Sequence, residues 1–160
     1  MFESDEIAGR LVADPGDGFA VVASRFNEFI VRSLVLGAFE GFDSLGVERE
    51  RVRVIWVPGA LEIANAARLA RDHLGVAGIV ALGAVVRGET SHYDVVVSES
   101  AGQLASLAAN SRIPIVNGIL TVETMEQGID RAGGKSGNKG YDAALNLVQL
   151  VDLYRRIVEG

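Results

Sequence analysis

The sequence predicts an α/β fold in which a central, mainly four-stranded parallel sheet lies between two layers of helices. Four apolar runs, rich in Val, Ile and Ala and without alternating polar residues, recur along the chain: Phe19–Ala23, Val52–Val57, Ala77–Val86 and Ile113–Val116. Strands buried on both faces have this pattern. Segments of helical length separate the runs. Because crossovers between parallel strands are right-handed, the alternation indicates a three-layer αβα fold of flavodoxin-like kind.

Five helices are predicted from the 3.6-residue spacing of apolar side chains between and after these runs. They are expected over Phe29–Leu45, Leu61–Leu74, Ser91–Asn110, Val122–Arg131 and Tyr141–Val158. Before the first strand, an extended piece near Arg10–Val12 precedes a turn-like sequence at Asp14–Gly18. We therefore expect residues 1–17 to form an N-terminal arm that adds an edge strand to this chain's sheet or to a neighbour's.

Length and composition predict one globular domain over residues 1–160. The chain has 160 residues, of which 49% are hydrophobic and 22% charged, and a typical domain has about 150 residues. A net charge of −6 argues against binding to nucleic acid through phosphate neutralisation. The absence of Cys excludes disulfides, Cys-ligated metal centres and thiol nucleophiles. The acidic first ten residues and the lack of a long apolar run predict a cytoplasmic protein without a membrane segment.

Polar or glycine-containing turns follow each predicted strand. They are Ser24–Asn27, Pro58–Glu62, Arg87–His92 and Asn117–Thr121. In open α/β sheets, ligands bind beyond the carboxyl ends of the strands, so we expect the four turns to converge on one rim. Neither a dinucleotide-binding glycine motif nor a complete P-loop occurs in the sequence.

His92 is the strongest catalytic candidate. It lies in the first turn of a helix whose N-cap is Thr90 or Ser91. An imidazole at this rim suits a general base near neutral pH. The alternative is a histidine that merely solvates the start of a helix. The second histidine, His73, follows Arg71 and Asp72 at a predicted helix end, and we interpret it as a surface residue.

The turn before His92 is a candidate anion site. Backbone N–H groups at a helix N-terminus, together with the Thr90 hydroxyl, can bind one phosphate. The Glu89 carboxylate would repel that phosphate, so only its backbone amide is a candidate ligand. Arg131, at the end of another predicted helix, could pair with the same anion or could simply stabilise its helix C-terminus.

Three further side chains have both a binding and a structural interpretation. Phe26 directly follows a strand and would offer a flat stacking face if exposed, or would fill the core if turned inward. Glu62 can accept hydrogen bonds from hydroxyl groups, although a carboxylate is also favoured in the first turn of any helix. Lys139, in a glycine-rich loop, can reach an anionic or carbonyl group or remain solvated.

Taken together, the ordered motifs resemble the lumazine synthase family of riboflavin biosynthesis over about residues 7–157. The motifs are Ser24–Ile30, Val57–Ile63, Ala81–Asp94, Gly118–Thr121, Glu126-Gln127 and Arg131–Gly140. The resemblance implies condensation of 5-amino-6-(D-ribitylamino)pyrimidine-2,4-dione with 3,4-dihydroxy-2-butanone 4-phosphate, without a metal or other cofactor. The expected product is 6,7-dimethyl-8-ribityllumazine, in the penultimate step of the pathway.

The resemblance also implies a role for each candidate residue. Phe26 stacks on the pyrimidine ring, Lys139 lies near it, and Ala84, Val85 and Val86 present backbone groups to it. Ala60, Leu61 and Glu62 hold the ribityl chain. Glu89 and Thr90 take the phosphate, with Arg131 reaching it from the adjoining subunit's side. His92 transfers protons. Many relatives carry an aromatic residue where this chain has Asn117, which can only hydrogen-bond to the pyrimidine.

The family resemblance further predicts a homo-oligomer. It implies a pentamer with sites between adjacent subunits, and the compact Gly133–Gly140 loop favours an icosahedral shell. Riboflavin synthase is a candidate partner. Two other interpretations remain open from the sequence: a carrier that holds a flavin or lumazine without turnover, and a purely structural shell protein of the same fold.

Overall fold

The computed structural model describes residues 4–160 and confirms the predicted fold class. Four parallel strands form one sheet in the order β2-β1-β3-β4. They are β1 (Phe19–Ser24), β2 (Val52–Val57), β3 (Gly78–Val86) and β4 (Ile115–Val122). The helices are α1 (Glu28–Ser44), α2 (Ile63–His73), α3 (His92–Ala109), α4 (Met125–Arg131) and α5 (Lys139–Glu159). Two 3-10 turns, Arg49–Arg51 and Ala60–Glu62, precede β2 and α2.

The sheet separates two apolar layers. On one face, α1 and α5 cover β1 and β3, and Phe19 of β1 stacks on Phe42 of α1 with ring centroids 4.9 Å apart. On the other face, α2 and α3 cover the sheet through residues such as Ile63 and Leu104. All six residues of β1 are buried, because a central strand between two helical layers meets apolar neighbours on both sides. This position explains why β1 is an uninterrupted apolar run.

The fourth strand is longer than the sequence predicts. The expected strand stops at Val116, whereas β4 continues to Val122 and pairs with β3 along its full length. β4 is an edge strand, and its Asn117 and Thr121 are exposed on the face that carries α3. Polar residues therefore interrupt the apolar run without ending the strand. The predicted turn over residues 117–121 is wrong, and only three turns converge at the carboxyl end of the sheet.

The segment after β4 also differs from the prediction. The helix expected over Val122–Arg131 starts only at Met125, because a capping box between Thr124 and Gln127 fixes its first turn. The glycine-rich stretch folds into a short hairpin of β5 (Ala132–Gly134) and β6 (Gly137–Asn138).

The N-terminal arm forms no strand in this chain between residues 4 and 17. It lies along α5 instead, where the backbone N–H and guanidinium of Arg10 donate to the Asp152 carboxylate at 2.8 to 3.1 Å. Arg156 and Gln149 of α5 donate to the carbonyls of Ala8 and Gly9. Of the two alternatives for the arm, the edge strand in this chain's own sheet is wrong. Residues 1–3 of the predicted arm lie outside the described residues.

Candidate active site

A cleft of about 480 Å³ opens at the carboxyl ends of β1, β2 and β3, on the face of the sheet that carries α2 and α3. Its lining combines an aromatic ring, apolar surface and a few polar groups. The lining residues are Phe26, Pro58, Gly59, Ala60, Leu61, Glu62, Ala84, Val85, Val86, Gly88, Thr90, His92, Tyr93 and Val96. Nine of the thirteen predicted site residues are in this set, so one chain assembles most of the candidate site.

The turn after β1 presents Phe26 to the cleft. Phe26 is 71% exposed, which favours the stacking interpretation over an inward core residue. The backbone N–H groups of Arg25 and Phe26 donate to the carbonyls of Val57 and Pro58 at 2.7 and 3.1 Å, which ties this turn to the end of β2. Phe26 therefore stands on a backbone that is fixed from a neighbouring strand.

Asn27 completes that turn in a left-handed conformation, with φ of 58°. Its side-chain Nδ2 donates to the Ala84 carbonyl of β3 at 2.8 Å. Asn tolerates the left-handed region better than most residues, and its short amide reaches a backbone group directly. The position requires both properties, and the sequence reasoning assigned Asn27 no role.

The turn after β2 supplies the carboxylate. Ala60–Glu62 forms a 3-10 turn, in which the Glu62 N–H donates to the Gly59 carbonyl at 3.2 Å. Glu62 Oε2 lies 3.3 Å from the place that a Cβ on residue 59 would occupy, so glycine leaves room for the carboxylate over the turn. Ala60 is buried, while the side chains of Leu61 and Glu62 are exposed to the cleft.

The end of β3 offers backbone hydrogen-bonding groups. The last pair between β1 and β3 joins Ala23 to Leu82, and β3 then continues to Val86 without a strand partner on that side. Backbone groups alternate between the two edges of a strand. Because the Ala84 carbonyl faces Asn27 on the open side, Ala84 and Val86 turn their N–H groups to this edge, and Val85 turns its own toward β4.

The turn after β3 brings a hydroxyl and an imidazole to the opposite wall. α3 begins at His92, one residue later than predicted, and the His92 N–H donates to Thr90 Oγ1 at 3.3 Å. Gly88, Thr90 and His92 line the cleft, whereas Glu89, between Gly88 and Thr90, does not. Glu89, which we expected to contribute its backbone amide, is therefore the one residue of this turn's predicted phosphate site that does not line the cleft.

Tyr93 and Val96 are cleft residues that the sequence reasoning missed. Tyr93 directly follows His92, and the Arg87 guanidinium carbon lies 4.5 Å from the centre of its ring. Val96 is one helical turn further along α3. Val96 could have been predicted from the sequence, because it lies four residues after His92 and positions i and i+4 share one face of a helix.

Three predicted site residues lie away from this chain's cleft. Asn117 pairs with Ala81 of β3. Ala81 lies three residues before Ala84 along that strand, so Asn117 is about 10 Å from the level of the cleft. Arg131 ends α4, which packs against α1 through Gly128 and Ile30 on the opposite face of the sheet. Lys139 begins α5 on that same face. All three side chains are exposed, so they are accessible to another molecule.

Residues 4–160 contain neither a candidate metal centre nor a membrane-spanning helix. No cluster of three His, Asp or Glu side chains in this part of the chain has the geometry to hold a metal ion. No helix in the same range is both long and apolar enough to cross a membrane.

The sheet order and the position of the cleft define a doubly wound α/β protein with a candidate small-molecule site at the carboxyl edge of its sheet. The family model described as 6,7-dimethyl-8-ribityllumazine synthase matches residues 17–155, and the chain belongs to that family. Two relatives carry the same name. The protein of Leuconostoc mesenteroides subsp. mesenteroides is 40% identical over 92% of this chain and 95% of its own length. The protein of Pediococcus pentosaceus is 42% identical over 86% of this chain and 88% of its own length.

Proposed function

We propose that this chain condenses 5-amino-6-(D-ribitylamino)pyrimidine-2,4-dione with 3,4-dihydroxy-2-butanone 4-phosphate to form 6,7-dimethyl-8-ribityllumazine, phosphate and two molecules of water. The observation that carries the proposal is the single cleft that holds Phe26, Glu62, the open end of β3 and the Thr90–His92 turn. These groups match a flat ring, a polyhydroxyl chain and a phosphate. Membership in the lumazine synthase family supports the same reaction.

The pyrimidine side of the cleft is built by β1, β2 and β3. We assign ring stacking to Phe26, whose exposed face is wide enough for a flat heterocycle. The backbone N–H groups of Ala84 and Val86 would bind the polar edge of the ring, and the Val85 side chain would contact its face. Ala60, Leu61 and Glu62 would hold the ribityl hydroxyl groups, with the Glu62 carboxylate as acceptor.

The phosphate side is the start of α3. The backbone amides of residues 88–91 and the Thr90 hydroxyl can bind one phosphate at a helix N-terminus. The Glu89 contribution would be its amide only. Arg131 would neutralise the phosphate from an adjoining subunit, because it lies on the far face of its own chain.

His92 would move the protons of the reaction. The pyrimidine amine attacks the ketone, and loss of water leaves an imine. Removal of a proton from the neighbouring carbon then expels phosphate, and the second nitrogen closes the ring with loss of another water. A general base contributes about 10²- to 10⁴-fold, whereas alignment of two reactants contributes about 7–11 kcal/mol. Alignment of the substrates in the cleft therefore lowers the barrier more than proton transfer does.

We further propose that the site is completed between copies of this chain. Asn117, Arg131 and Lys139 are exposed and lie away from their own cleft, as residues that serve a neighbour's cleft would. Ile7, Leu11 and Val12 of the arm are each about half exposed, and such apolar surface favours an interface. A pentamer, its icosahedral shell, riboflavin synthase as partner and a cytoplasmic location remain predictions of the sequence.

The experiment is to mix both substrates with the purified protein and to follow the lumazine product by absorbance and fluorescence. His92→Ala and Arg131→Ala serve as controls. Product from the wild type, with Arg131→Ala weakened mainly toward the phosphorylated substrate, is the expected result. Bound pyrimidine without product would overturn the proposed reaction in favour of a non-catalytic carrier.

A further inference from the structure

We propose that Arg87 is a positioning residue that holds the phosphate-binding turn and His92 in place, and that it does not itself bind phosphate. The inference rests on the proposed function, since it concerns the phosphate side of that cleft. Arg87 follows the last residue of β3 and stands beside the turn of residues 88–91. A cation there would ordinarily be assigned to the phosphate, so its actual contacts decide between the two roles.

The contacts of Arg87 join three parts of the fold. Its backbone N–H donates to the Val122 carbonyl at the end of β4 at 2.9 Å. Its Nε lies 2.7 Å from Glu123 Oε2, in the linker between β4 and α4, and its Nη2 lies 3.6 Å from Asp94 Oδ1 in the first turn of α3. The guanidinium also covers the ring of Tyr93, at 4.5 Å.

These contacts leave Arg87 poorly suited to an anion. One cation faces two carboxylates, so the local charge is already negative, and the planar fork is directed at Glu123, Asp94 and the aromatic ring. A phosphate would have to displace Glu123 from its closest nitrogen. The guanidinium is therefore occupied within this chain.

The turn that Arg87 borders has few attachments of its own. Within residues 88–91, the hydrogen bonds are those of Thr90 Oγ1 with the His92 N–H and of the Ser91 carbonyl with the Asp94 N–H. Arg87 precedes the turn, and Tyr93 and Asp94 follow it. The contacts of the guanidinium with these two residues therefore link the start of the turn to its end. An exposed ion pair alone stabilises little, but here three contacts converge on a planar fork that Lys cannot reproduce.

The two roles predict opposite effects for Glu123→Gln. If Arg87 positions the turn, loss of the Glu123 carboxylate loosens it, and inorganic phosphate binds more weakly. If Arg87 were a phosphate ligand, the same change would release the guanidinium, and phosphate would bind more tightly. Glu126→Gln is the matched control, because it removes the same charge from an exposed residue nearby for which the described residues show no ion pair.

The experiment measures phosphate affinity by calorimetry, and kcat and both KM values, for the wild type, Arg87→Gln, Arg87→Lys, Glu123→Gln and Glu126→Gln. We expect Arg87→Gln and Glu123→Gln each to weaken phosphate binding and raise the KM of the butanone phosphate by roughly two- to five-fold, the range that an exposed ion pair supports. The pyrimidine KM should stay unchanged. Arg87→Lys should recover only part of the loss, and Glu126→Gln should match the wild type.

Tighter phosphate binding by Glu123→Gln, or full recovery by Arg87→Lys, would overturn the positioning role. If Arg87→Gln does not fold, Glu123→Gln alone still decides the sign. The two proposals can be tested separately. A wild-type protein that makes no lumazine product contradicts the proposed reaction, whereas the phosphate titration tests the role of Arg87 without turnover.

Discussion

At the scale of single residues, the two histidines show how position in the fold separates two identical side chains. His92 opens α3 and lines the cleft, whereas His73 ends α2 and borders a groove beside β2. The sequence predicted this difference, because His92 comes soon after a strand and His73 lies at the end of a helix. Chemistry at the cleft should therefore depend on one histidine only.

Replacement of His92 by Ala should slow turnover about 10²- to 10⁴-fold without abolishing it, because alignment of the two substrates persists. The measurement is kcat for lumazine formation, with pyrimidine binding followed in parallel. His73→Ala is the control and should have wild-type activity. Complete loss of turnover in a His92→Ala protein that still binds pyrimidine would show that proton transfer, not alignment, dominates.

Asn27 lets backbone strain and a side-chain hydrogen bond be measured separately. Asn27→Gly keeps access to φ of 58° and loses the bond to the Ala84 carbonyl, which costs about 0.5–1.5 kcal/mol. Asn27→Ala loses the same bond and adds about 1–2 kcal/mol of left-handed strain. Urea unfolding of both variants should rank Ala below Gly in stability, and equal stabilities would contradict a strained backbone at this position.

At the scale of secondary-structure elements, the apolar runs predicted β1, β2 and β3 closely. Helices bury β1 and β3, whereas β2 is a half-exposed edge strand that is apolar except at Arg53. The second half of β4 was not predicted, because the exposed polar residues Asn117 and Thr121 give this part of the sequence the composition of a turn. The start of α5 was placed two residues late. Asn138, whose side chain accepts from the N–H groups of Gly140 and Tyr141, caps the helix within the glycine-rich stretch.

The contact between the arm and α5 should depend on pH. Hydrogen bonds from Arg10 lower the pKa of Asp152 below its usual value, so the carboxylate is the form that holds the arm. The contact is complete above the ordinary Asp value of about 3.9 and is lost as pH falls through the lower folded value. Hydrogen exchange of the Arg10 amide, which donates to Asp152, should show protection near neutral pH that disappears in acid.

Asp152→Ala should remove that protection at every pH. Asp142→Asn, a change at another carboxylate on the same helix, should leave it as in the wild type. A wild-type Arg10 amide that exchanges freely near neutral pH would contradict the contact.

At the scale of the whole molecule, the cleft of one chain is not lined by its own Arg131. The proposal that a neighbour supplies Arg131 can be tested by mixing two defective proteins. When His92→Ala and Arg131→Ala chains are unfolded together and reassembled in equal amounts, about a quarter of shared sites should hold both native residues. Lumazine formation should rise to that fraction of the wild-type rate. No gain on mixing would show that Arg131 does not serve a neighbour's cleft.

The glycine-rich stretch folds into the short hairpin of β5 and β6, and the icosahedral shell stays a prediction of the sequence. Light scattering at micromolar protein should then give a mass far above five chains of 16.9 kDa. A mass equal to a lone pentamer would contradict the shell, and a single-chain mass would contradict both.

The sequence by itself determined the fold class, three of the four strands and the family, and it predicted the carboxyl edge of the sheet as the place of the candidate site. The fold class and the strands could be predicted because buried strands and helices impose apolar periods that are visible in one dimension, whereas the family was indicated by the resemblance of ordered motifs. Only the tertiary structure decided which predicted residues share a cleft. It brought Phe26, Glu62 and His92 together, set Arg131 and Lys139 on the opposite face, and gave Arg87 its contacts, because proximity across elements depends on sheet order and register.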